Sequence, residues 1–134
     1  MATLTPEMQQ MIGEQLNFLA TVDENGNPQV GPKGTMRVFD EHHLIYNEET
    51  GKQAWHNLNT NRKAAVAVVD RPALKGYRFE GTAEFHDDDQ IFKDAVAFAE
   101  ARHLPDAIAA VIITVERIYK LDAGANAGDL IEAD

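Results

Sequence analysis

The sequence predicts a mainly β fold, a six-stranded and mostly antiparallel β-barrel with flanking helices. Three observations carry this. Short turns rich in Gly, Asn, Asp and Pro separate most of the apolar runs, and such turns join antiparallel neighbours. The run Lys63 to Asp70 is almost continuously apolar, while Tyr77 to His86 alternates; both patterns belong to sheet strands. An open sheet would leave two unpaired edges, which closure into a barrel removes.

The elements follow in order. Thr5-Pro6-Glu7, then Met8, Met11, Ile12 and Leu16, predict an amphipathic helix with Thr5 as N-cap and Pro6 at its first position. Phe18 to Val22 reads as a strand, and Asp23 to Pro28 as a hairpin turn marked by Asn25-Gly26. The returning strand, Gln29 to Phe39, contains Gly31, Pro32 and Gly34. A proline there indicates an edge or a bulge, and the glycines suit either a bulge or close approach of a ligand to the backbone.

Asp40 to His43 is a second turn and Leu44-Ile45-Tyr46 a third strand, broken by Glu48-Glu49-Thr50-Gly51. Lys52 to Asn61 predicts a short helix with Ala54, Trp55 and Leu58 on one face. The apolar strand 63–70 is expected to be central and buried on both faces. The alternating strand 77–86 carries Gly81 as a bulge. Asp87-Asp88-Asp89 caps a helix reaching about Arg102, with Ile91, Phe92, Ala95, Val96, Phe98 and Ala99 facing inward. Ala109 to Leu121 is the last strand, and residues 122–134 are expected to form a loose tail docking through Leu130 and Ile131.

At 134 residues and 44% apolar composition the chain is one domain, 1–134, with enough apolar residues for a core. It has no apolar run long enough for a membrane helix. Its start, MATLTPEMQQ, has neither the basic nor the apolar region of a secretory signal. The absence of cysteine removes disulfides, thiolate catalysis and cysteine metal sites, and fits a cytoplasmic protein.

A formal charge of −10 argues against nucleic acid as a partner. The charge is uneven. Residues 31–78 hold eight Lys/Arg against five Asp/Glu, whereas the remainder holds four against seventeen. A basic middle in an acidic chain suits a small anionic ligand. Within it, Lys33, Arg37 and Lys52 lie on a strand and at a glycine turn that opens a helix, the groups a phosphate needs.

The five histidines have no metal-ligand spacing, so no metal site is expected. No nucleophile elbow, P-loop or dinucleotide fingerprint is present. No catalytic residue is singled out among the twenty-two acids. Redox chemistry would have to come from a cofactor.

Gly31-Pro32-Lys33-Gly34-Thr35-Met36-Arg37, Tyr46-Asn47-Glu48, Gly51-Lys52-Gln53 and Gly76-Tyr77-Arg78-Phe79 with Gly81-Thr82-Ala83-Glu84, in this order, resemble the FMN-binding split barrels of the pyridoxamine 5′-phosphate oxidase-like family. The similarity runs from about Met11 to Leu121. It implies a homodimer with FMN at the interface and a small-molecule substrate or nicotinamide reductant. Carried over by position, Lys33 and Arg37 would contact the phosphate or the flavin pyrimidine. Gly34, Thr35 and Met36 would run along the ring edge. Tyr46 and Asn47 would lie beside the flavin, and Gly51, Lys52 and Gln53 would meet the phosphate.

Trp55 and Tyr46 could stack on the ring or belong to the core. The helix start departs from the family's Ser-x-Lys pattern, because registering on Leu58 puts Ala54 at the lysine. The Trp/Arg-rich C-terminal extension of the true oxidases is missing from the pattern, which implies FMN binding without pyridoxamine phosphate oxidation. The alternatives are an FMN carrier, the same fold holding haem (on His42, His56 or His86) or a deazaflavin, and an interaction module with no cofactor.

Overall fold

The computed structural model describes all residues, Met1–Asp134. Three helices and eight strands follow as α1 (Pro6–Glu14), β1 (Asn17–Val22), β2 (Pro28–Pro32), β3 (Arg37–Asp40), β4 (His43–Glu48), α2 (Gln53–Asn61), β5 (Lys63–Asp70), β6 (Lys75–His86), α3 (Gln90–Ala101), β7 (Ala109–Lys120) and β8 (Leu130–Ala133). Every ladder is antiparallel, in the order β2-β1-β5-β6-β7-β4-β3, with β8 added on β7. The fold class is the expected one, a mainly antiparallel split barrel with flanking helices.

The expected strand count of six becomes eight, and the sheet does not close. The expected strand 29–39 breaks into β2 and β3, the two edges of the main path. They are joined by a turn in which Met36 N–H donates to Lys33 O at 3.1 Å. Pro32 ends β2 at a sheet edge, where its missing N–H leaves no ladder bond unmade. The turn Lys33–Met36 therefore spans the seam of the curled sheet. Lys33 N–H anchors it to Asn17 O at 2.9 Å.

The second added strand, β8, corrects the expectation of a loose tail. It pairs with the later part of β7, but Leu130 and Ile131 stay about half exposed, at 54% and 46%. Backbone pairing holds it rather than docking of those side chains. Residues before α1 also pack. Ala2 and Leu4 are buried, Ala2 N–H donates to Val115 O and Leu4 N–H to Glu41 O. Helix α1 stops at Glu14, and Leu16 is exposed instead of joining its apolar face.

The core is one cluster of 21 buried residues, among them Leu19, Tyr46, Val66, Phe79 and Ile113. Each fully buried side chain of this size contributes roughly 2 kcal/mol, so packing outweighs any single polar contact at the seam. A smaller cluster, Ile45, Ala95, Ala110 and Ile112, lies under α3. Strand β5 is central, but it is not buried on both faces as expected. Ala64, Val66 and Val68 point into the core, while Ala65 and Ala67 are half-buried and Val69 is exposed. No element covers that outer face.

The expected bulge is present between Glu80 and Gly81. A Cβ at Gly81 would stand 1.8 Å from Thr114 O, so backbone of β7 fills the place of a side chain.

Candidate anion site at the start of α2

Strand β4 ends at Glu48, and the chain turns through Gly51 at φ 62° before α2 begins. That left-handed conformation favours glycine. Glu48 Oε2 accepts from Thr50 N–H at 3.2 Å, Gly51 N–H at 3.1 Å and Thr50 Oγ1 at 3.5 Å. The start of α2 has Lys52 at the cap position and no side-chain acceptor on its first N–H groups. Thr5 and Asp89 supply such acceptors to α1 and α3. An uncapped helix start with free N–H groups attracts an anion.

Lys33 reaches the same point from the seam turn. Its Nζ lies 4.0 Å from Glu48 Oε1 and 5.4 Å from the centre of the Tyr46 ring. Tyr46 and Glu48 are wholly buried, and the Tyr46 hydroxyl and Glu48 Oε1 have no hydrogen-bond partner. Burial, reinforced by the Glu48 carboxylate, pushes the Tyr46 phenol far above its usual range, so it stays neutral.

Arg37 does not join this group. It pairs with Ile45 in the β3–β4 ladder and shares that residue's face, opposite to Tyr46 and Glu48. Its guanidinium donates to Thr35 O at 2.8 Å and to Asn47 Oδ1 at 3.2 Å. It also lies 3.6 Å from the centre of the Phe98 ring, which Arg102 covers at 3.7 Å. Burial, then the charge of Arg102, pulls Arg37 down to about 10.

The family model for pyridoxamine 5′-phosphate oxidase matches residues 4–122. The chain belongs to the pyridoxamine 5′-phosphate oxidase family. It is similar to HupZ of Group A Streptococcus at 45% identity, covering 92% of this chain and 98% of that one with a TM-score of 0.85. A candidate pyridoxamine 5′-phosphate oxidase from Lactobacillus delbrueckii is 39% identical over 87% of this chain and 93% of that one, with a TM-score of 0.79. An FMN-binding protein from Syntrophomonas wolfei shares the fold at 13% identity and a TM-score of 0.74, covering 87% and 85% of the two chains.

On this pyridoxamine 5′-phosphate oxidase-family chain the ten residues expected at the cofactor divide into three groups. Lys33, Gly51, Lys52 and Gln53 gather around the end of β4 and the start of α2, although the Gln53 amide donates along the helix to Asn57 Oδ1 at 2.8 Å. Gly34 is exposed at the seam turn. Thr35, Met36, Tyr46 and Asn47 are buried, and Arg37 is half-buried on the other face of β4. Thr35 Oγ1 accepts from Asn47 N–H at 3.0 Å, and Asn47 Nδ2 donates to Ala95 O at 3.0 Å, so these side chains tie the turn to β4 and α3. Trp55 packs on Phe85, ring centres 4.7 Å apart, at the margin of the core.

Glu48 and Thr50 were not among the expected site residues. An acid two and three positions before turn N–H groups was the signal for Glu48, since such side chains hydrogen-bond their own turn. A groove of about 500 Å³ lies elsewhere, over Ala20, Lys63, Ala65, Glu80, Thr82 and Arg117 on the outer sheet face. It contains none of the ten residues. Its charges are mixed, so the convergent donors near Glu48 are the better anion site. No helix is long and apolar enough to cross a membrane.

Proposed function

We propose that this chain binds FMN as a homodimer and acts as an oxidoreductase on a small substrate, drawing on a reduced nicotinamide or a small organic reductant. One observation carries the reading. Lys33 Nζ and the N–H groups of Thr50 and Gly51 converge on one carboxylate, beside a helix start that has Lys52 at its cap and no acceptor of its own. That donor set suits a phosphate. Two of the four buried side-chain atoms without partners, on Tyr46 and Glu48, mark the same place as incompletely satisfied.

Lys33, Lys52 and the Thr50, Gly51 and Gln53 N–H groups would hold the phosphate. Bound FMN would supply hydride transfer. The chain would supply charge and orientation: α2 directs its N-terminal dipole at the phosphate, and Gly51 lets the backbone turn its N–H groups to one side. Arg37 holds β3, β4 and α3 together behind the site.

The test is titration with FMN and with riboflavin. Lys33→Ala is expected to cost about 1–3 kcal/mol of FMN binding, the worth of one charge-assisted hydrogen bond, and little riboflavin binding. Equal losses for both ligands would overturn the phosphate assignment. Saturable reduction of the loaded protein by a nicotinamide separates an oxidoreductase from a carrier.

The haem alternative has one observation in its favour. Of His42, His56 and His86, only His56 has no hydrogen bond at its ring nitrogens. A Soret band lost in His56→Ala would replace the flavin reading.

A further inference from the structure

We propose that Glu48 is an internal counter-anion, filling the phosphate cradle in the ligand-free protein and turning to the Tyr46 hydroxyl when a phosphate takes its place. The inference rests on the reading of this turn as a phosphate site. It adds a residue that sets affinity by competing for the site.

Glu48 takes the donors a phosphate would use. Its Oε2 holds the Thr50 and Gly51 N–H groups, and Lys33 is the one cation within 4.0 Å of it. Its Oε1 is buried with no hydrogen-bond partner, an arrangement that costs free energy as it stands. A phosphate placed on the same donors would face the buried carboxylate at close range, and like charges so placed repel strongly. Both anions cannot hold the cradle together.

A second resting place is already built. Tyr46 lies two residues before Glu48 on the same face of β4, wholly buried, its hydroxyl close enough to feel the Glu48 carboxylate but not in hydrogen-bond geometry with it. It remains protonated, so it is a donor. A rotation of Glu48 that carries both oxygens to the Tyr46 side would pair the two orphaned atoms and release Lys33, Thr50 and Gly51. No group other than these two lies unpartnered on that face of β4.

The test compares FMN, riboflavin and inorganic phosphate on the full chain. Glu48→Gln removes the competing charge and is expected to tighten FMN roughly tenfold, one pKa unit's worth of repulsion, with riboflavin unchanged. Tyr46→Phe removes the receiving hydroxyl and is expected to weaken FMN. Glu24→Gln, the same charge loss on the exposed hairpin turn, is expected to change neither ligand.

Unchanged or weaker FMN binding in Glu48→Gln overturns the inference while the phosphate reading stands. If the wild-type protein holds FMN no better than riboflavin, the phosphate reading fails. The cradle then survives only if inorganic phosphate raises the Tm of Glu48→Gln more than that of wild type, and an equal rise sinks it. Should Glu48→Gln not fold, the wild-type Thr50 and Gly51 amide resonances decide: they shift on adding phosphate, and resonances that stay put refute the proposal.

Discussion

Arg37 donates to Asn47 Oδ1 at 3.2 Å, so two residues expected at a flavin are bonded to each other across the β3–β4 hairpin. The guanidinium also sits 3.6 Å from the Phe98 ring centre, and cation–π contact adds to the hydrogen bonds. Arg37→Ala should therefore cost about 2 kcal/mol of stability in chemical denaturation, one charged hydrogen bond plus a partly buried stacking contact. The ratio of FMN to riboflavin affinity should stay as in wild type. Lys33→Ala should change that ratio, and a matching change in Arg37→Ala would put Arg37 back at the phosphate.

The start of α3 should show pH-dependent stability. His86 Nδ1 lies 2.5 Å from Asp89 Oδ2 and its Nε2 lies 2.8 Å from Glu84 Oε1, while Asp89 Oδ1 caps Phe92 N–H at 3.0 Å. Burial opposes the charged ring, but the bonds to Asp89 and Glu84 outweigh it and raise His86 above its ordinary 6.5. The bond to His86, then that to Phe92, lowers Asp89 below its ordinary 3.8. A raised histidine stabilises fully below 6.5 and loses the effect as pH climbs through its folded value. A lowered aspartate stabilises above 3.8 and loses the effect as pH falls. The Tm gap between wild type and His86→Gln should be widest near pH 5, between those limits. A gap that is constant from pH 4 to 9, roughly the range these groups span, would show that the pair does not titrate with folding.

Gly81→Ala should be among the most destabilising small changes in the chain. Its Cβ would stand 1.8 Å from Thr114 O, and the atom in the way is backbone of the neighbouring strand, which no rotamer change relieves. A loss of roughly 3 kcal/mol or more is expected, the upper end of overpacking penalties, read from urea midpoints. A Gly81→Ala protein of wild-type stability would mean that the Glu80–Gly81 bulge relaxes freely.

Local chemistry made much of this legible in the sequence. Thr5 with Pro6, the Asn25-Gly26 turn, the apolar strand at 63–70 and the acidic cap of α3 each act over a few residues, and each is where expected. Of the three aspartates only Asp89 caps, because only it stands one residue before the helix. What stayed hidden depends on distant partners. The split of 29–39 follows from β2 and β3 belonging to opposite edges, a property of the whole sheet order. The separation of Lys33 from Arg37 follows from that split, since a continuous strand would put residues four apart on one face. β8 is ordered by an unpaired stretch of β7, which the composition of residues 122–134 does not reveal.

The uncovered face of the sheet carries the last expectation, the homodimer. Val30, Ala20 and Ala65 stand in register across three strands, as do Pro32, Phe18 and Ala67, with Val69 two residues further along the same face. Val30, Phe18 and Val69 are 67%, 39% and 48% exposed in the single chain. A contiguous apolar surface of this kind marks an interaction site, and a two-fold dimer would bury it against its own copy. The wild-type protein is therefore expected to sediment as a dimer. Ala67→Arg adds a charge on the β5 side of the patch, in register with Arg78 of β6, without touching the core, so it should give a folded monomer with nearly unchanged Tm. If the flavin lies at the interface, that monomer should also lose FMN affinity. A variant that stays dimeric would exclude this face as the contact. A monomer that keeps full FMN affinity would place the whole cofactor site on one chain.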